Sequence, residues 1–155
     1  MSSTYRGLAA ELQAALPRKG LFQGRTWRWS DQPLHLEAVD LKFLESLGKK
    51  IGAFLRAANR LYRVLRPDLI RTEEGWALTE IDSVPGGVGL TAWMQENYSK
   101  GGHAVLGGPS GLRNLAERIL GESGEVVISR EAQDYRPEWS WLVGDARVNP
   151  FWLET

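Results

Sequence analysis

The chain has 155 residues, 43% of them hydrophobic and seven of them tryptophan. That is enough apolar material for one ordinary domain, or one and a half, and too much for a disordered chain. Nineteen Lys and Arg balance nineteen Asp and Glu, leaving no basic excess to draw in a nucleic acid or an anionic membrane, and the lack of cysteine excludes disulfides, zinc thiolates and cysteine nucleophiles.

The N-terminal stretch carries no secretory pattern, because Glu11 and Gln13 interrupt the apolar run of residues 8–16. No run approaches the roughly 18 apolar residues of a membrane span. The expectation is a soluble, cytoplasmic protein. Ser2 or Ser3 can cap a first helix with Tyr5, Leu8, Leu12 and Leu16 on one face, stopped by Pro17. Residues 18–36 read as a loop or small hairpin in which Trp27 and Trp29 share a face and cover a core edge. Over residues 38–65, Leu44, Leu47, Ile51, Phe54, Leu55, Ala58, Leu61, Tyr62 and Leu65 recur at steps of three and four, which predicts an amphipathic helix ending before Pro67. Its basic residues gather toward the C-terminal half, where they complement the helix dipole.

Residues 68–72 and 76–82 alternate apolar and polar side chains about the turn Glu73-Glu74-Gly75, which predicts a β-hairpin. Regular alternation puts Trp76, Leu78, Glu80 and Asp82 on one face and Ala77, Thr79 and Ile81 on the other. Glu80 and Asp82 then stand roughly 6–7 Å apart at Cβ. Two carboxylates at that spacing repel by about 2–3 kcal/mol at an effective dielectric near 20. A compensating cation is needed: Arg66, Arg71 or a bound metal. Asp68 on the partner strand can supply a third oxygen to a hard ion such as Mg²⁺. Ser83-Val84-Pro85-Gly86-Gly87-Val88-Gly89 follows and opens a helix over residues 89–98. Glycines ahead of a helix N-terminus leave amide N–H groups bare to meet an anion. Hard-metal ligands beside an anion cradle are what phosphate chemistry requires.

Beyond the break Lys100-Gly101-Gly102, the pattern predicts a strand over residues 103–106, a helix capped by Ser110 and reaching residue 120, and a strand over 125–129. A last helix is expected with Asp134 as its cap and Pro137 in its first turn. Strand, helix, strand, helix is how a parallel α/β layer begins. Two strands do not cover their helices, and Trp139, Trp141 and Trp152 are left without a partner in this reading. The division expected is a metal- and phosphate-binding part over residues 1–100 and the truncated start of an α/β substrate-side domain over 101–155.

The stretch 66–98 resembles the metal-binding end of an ATP-grasp domain. More narrowly, it is similar to the circularly permuted ATP-grasp proteins related to glutathionylspermidine synthases, which carry R-x-D, a hairpin, and E-x-N followed by a Pro-containing loop. Here Arg66-Pro67-Asp68 precedes Glu80-Ile81-Asp82 and Pro85, and the close likeness covers about a fifth of the chain. The resemblance implies an incomplete ATP-grasp-like α/β fold: an α+β N-terminal part with helices packed on a hairpin-containing sheet, then the start of an α/β layer. It implies Mg²⁺ on Asp68, Glu80 and Asp82, Arg66 as the catalytic residue facing the phosphates of ATP, and Ser83, Gly86 and Gly87 around the same phosphates. Asp82 stands where the family usually has Asn, which adds a negative charge beside the nucleotide. The activity implied is that of an ATP-dependent carboxylate–amine or carboxylate–thiol ligase passing through an acyl-phosphate. Its partners would be a nucleotide and a small-molecule carboxylate and amine, and it would be inactive until completed by a C-terminal lobe or by another copy.

Other motifs fall short. Gly87-Val88-Gly89-Leu90-Thr91-Ala92 fits G-x-G-x-x-A, but its strand is the second arm of a hairpin and no strand-end acid follows about 20 residues on. Leu112 breaks a nucleophile elbow at Ser110, no glycine loop ends in GK[ST], and neither His35 nor His103 has a zinc-site context. The competing reading has the hairpin acids paired with Arg66 and Arg71, in a non-catalytic α/β interaction module that assembles through its Trp-rich C-terminal region.

Overall fold

The computed structural model describes residues 34–59, 64–82 and 86–151. The expected first helix, Trp27, Trp29, Ser83 and Trp152 lie outside the described residues. The chain divides into two compact units, Gln32–Pro85 and a second that begins at Gly86. The division falls at Pro85, ahead of the Gly101-Gly102 break. Each unit mixes helix with strand.

The first unit contains α1 (Ala38–Ala57), β1 (Arg66–Thr72) and β2 (Gly75–Asp82). At the start of α1 the Glu37 N–H donates to Asp40 Oδ2 at 2.8 Å, so a side chain of the first turn satisfies an amide the helix itself leaves open. The helix is shorter than its apolar periodicity predicts. Ala58 and Asn59 form a turn, with Asn59 at φ 51°, the left-handed conformation that Asn tolerates and that stops a helix. Val64 and Leu65, expected to continue the helix, are not helical. Periodicity records where apolar side chains fall, and a single left-handed residue overrides it.

The second unit contains α2 (Val88–Lys100), α3 (Gly111–Leu120), β3 (Val126–Ser129), α4 (Arg136–Val143) and β4 (Val148–Phe151). β3 and β4 pair in parallel, Val126 opposite Val148 through Ser129 opposite Phe151, with α4 in the crossover that parallel strands require. The strand expected over residues 103–106 does not form. Its backbone is used elsewhere: the His103 N–H donates to the Tyr98 carbonyl, the Val105 carbonyl accepts from Gly108, and the Leu106 carbonyl accepts from the Gln95 side chain. The partner of β3 is instead β4, a strand whose signal in sequence is masked by Pro150.

Helix starts also differ from expectation in detail. Ser110 holds the N-cap position of α3 but its hydroxyl makes no cap; the Leu112 N–H donates to Gln95 Oε1 at 3.0 Å instead. Pro137 does lie in the first turn of α4, whereas Asp134 belongs to a preceding 3₁₀ turn, Gln133–Tyr135. The core of the unit gathers Ala92, Ala116, Ile128, Leu142, Val143 and Val148. Leu142 and Val148 are its largest fully buried side chains, each stabilising by about 1.5–3 kcal/mol. Trp139 and Trp141, expected to lack a partner, are half-buried against this core, and Arg113 stacks on the Trp141 ring at 4.6 Å while donating to carbonyls of the last turn of α4. Among the described residues no helix is long and apolar enough to cross a membrane.

Candidate functional site

The site is built on the hairpin. β1 and β2 pair antiparallel from Thr72 opposite Gly75 at the turn to Arg66 opposite Asp82 at the open end. The register is not continuous. Leu69 faces Leu78 and Asp68 faces Glu80, so Thr79 is an extra residue, a β-bulge, with its hydroxyl donating to the Asp68 carbonyl at 3.0 Å.

The bulge changes which side chains meet. Opposed residues of two strands share a face, and successive residues of β1 alternate. Arg66 and Asp68 therefore share a face with their partners Asp82 and Glu80, while Leu69 and Arg71 share the opposite face with Leu78 and Trp76. The expected set of Trp76, Leu78, Glu80 and Asp82 on one face is corrected here. One inserted residue turns the two acids away from Trp76 and Leu78 and brings them to the side of Arg66 and Asp68. Without it, unbroken alternation would set Asp68 and Glu80 on opposite faces.

On that face Arg66 is the hub. Its Nε donates to Asp68 Oδ1 at 3.1 Å and its second terminal nitrogen lies 3.3 Å from Asp82 Oδ2. The three side chains are 40, 44 and 30% exposed, so each pair contributes about 0–1 kcal/mol. Glu80, opposite Asp68, is exposed. Among the described residues no group of three or more His, Cys, Asp or Glu side chains converges to hold a metal. Asp68, Glu80 and Asp82 in this arrangement do not fit a preformed Mg²⁺ cage, because a guanidinium binds two of the three. What the face offers chemically is a forked cation held between carboxylates, a group whose planar donors also match phosphate oxygens.

The opposite face carries a second cluster, which sequence reading did not find. Asp40 is 5% exposed, and its Oδ1 accepts the Trp76 indole N–H at 2.7 Å. Arg71 lies over the Trp76 ring at 5.6 Å, 3.9 Å from Asp40 Oδ2, and donates to the His35 carbonyl. The Glu37 amide, then the Trp76 indole, hold the Asp40 carboxyl below its ordinary range; burial opposes them and Arg71 adds to them. Arg71 is thus committed to the start of α1 and not to Glu80 or Asp82. Asp40 sits on a helix 36 residues from Trp76, and no local pattern connects them.

The glycine turn belongs to the second unit, and the structure gives its glycines a packing role. Gly86 is buried against the Tyr135 ring and Gly89 against the Glu138 carbonyl, each too close for a side chain to intervene. Gly87 precedes α2 at φ 78°, a conformation that costs other residues about 1 kcal/mol or more. The anion at the N-terminus of α2 is the chain's own: Glu138, 6% exposed, accepts the Leu90 N–H at 3.3 Å. The Leu90 amide's partner, 48 residues away in sequence, was not legible in the glycines.

Of the residues expected at the site, Arg66, Asp68 and Asp82 are brought together with Glu80 on the same face, Gly86 and Gly87 stand in the other unit with Gly86 against Tyr135, and Ser83 lies outside the described residues. In comparisons with known proteins, no family model, no curated protein and no solved structure matches the chain.

Proposed function

We propose that this chain is the phosphate-facing portion of a circularly permuted ATP-grasp ligase that joins a carboxylate to an amine or thiol, and that it is inactive without the remaining lobe. The observation that supports this reading is the gathering of Arg66, Asp68, Glu80 and Asp82 on one face of the hairpin by the bulge at Thr79. Arg66 is the residue of this cluster suited to phosphate oxygens, and the acids around it hold its fork in place. Mg²⁺ and ATP are the ligands the reading calls for. Asp68, Glu80 and Asp82 would hold the ion once Arg66 exchanges their oxygens for those of phosphate.

Calorimetric titration of the chain with Mg²⁺–ATP, and with Mn²⁺ alone, tests this. The expected result is a binding isotherm for the parent chain that Arg66→Ala weakens by tenfold or more and Glu80→Ala/Asp82→Ala abolishes. Identical traces for parent and variants overturn it.

A second reading is favoured by the same ion pairs. Arg66 compensates Asp68 and Asp82, and Glu138 accepts the Leu90 N–H at the start of α2. Under it the acids are structural, and the chain is a non-catalytic α/β module assembling through its C-terminal region, possible as a homo-oligomer. Sedimentation separates this alternative: concentration-dependent association together with a flat nucleotide titration supports it, and a monomer at all concentrations counts against it.

A further inference from the structure

No further inference is drawn: the strongest candidate, the shallow depression at the N-terminal end of α3 lined by Glu96, Ser99, Lys100, Pro109 and Ser110, rests on a helix N-terminus and one exposed lysine, with no unpartnered buried side chain among the described residues aimed into it.

Discussion

Asp40 joins three elements through one carboxylate, taking the Glu37 amide, the Trp76 indole and the charge of Arg71. Its carboxyl is held below the ordinary range, chiefly by the Glu37 amide. The sign of the pH effect follows. An unfolded Asp titrates near 3.9, so above that pH the folded carboxylate contributes stability, and the contribution is lost as pH falls through the lower folded value. Denaturant unfolding of the parent and of Asp40→Asn is expected to differ at neutral pH and to begin converging only as pH falls below about 4, the ordinary carboxylate value. A difference that stays constant through the acid range counts against the assignment. Two glycines give a second contrast at the scale of single residues. A Cβ at Gly89 would meet the Glu138 backbone carbonyl, whereas one at Gly86 would meet the ring of Tyr135, an exposed side chain free to swing. Gly89→Ala should therefore cost about 1–3 kcal/mol and Gly86→Ala distinctly less, measured by thermal unfolding of each.

At the scale of elements, the bulge decides the chemistry of the hairpin. A regular ladder would send Glu80 to the side of Arg71; the extra Thr79 sends it to the side of Arg66. Double-mutant cycles read this directly. Arg66 and Asp82 should couple by about 0.2–1 kcal/mol as an exposed cross-strand ion pair, and Arg71 and Glu80 by nothing measurable. A coupling in the second pair would mean the acids face α1. The β3–α4–β4 unit makes a complementary prediction. Leu142 has no exposed surface, and truncation leaves a cavity between α4 and its neighbours. Leu142→Ala should cost about 2–5 kcal/mol, seen as a fall in the thermal midpoint of the described C-terminal unit.

At the scale of the molecule, the two units divide the expected site between them. The charged cluster belongs to Gln32–Pro85, and the glycine turn with its Glu138 partner belongs to the unit that begins at Gly86. The nucleotide titration and the sedimentation experiment are therefore complementary. The first asks whether the Arg66 fork exchanges carboxylate for phosphate oxygens, and the second asks whether the exposed apolar side chains of the chain, such as Leu106 and Val127, are covered in solution. With positive and negative charges equal in number, neither measurement is expected to be dominated by a long-range field.

The amino-acid order by itself determined the hairpin about Glu73-Glu74-Gly75, the helices beginning near Ala38, Val88 and Gly111, and the strand ending at Ser129, because turn residues and apolar spacing act over a few neighbours. It also named Arg66 as a candidate cation for the acids of the hairpin. Only the tertiary structure decided that Arg66 lies against Asp82, that Thr79 is left out of the ladder, that β4 lies beside β3, and that Glu138 accepts the Leu90 N–H of α2. Each of these joins residues whose energies of interaction exist only once distant segments meet. The bulge adds a further reason: shifting pleat by one residue exchanges the two faces of a strand, so a one-residue irregularity that no local preference encodes reassigned the acids.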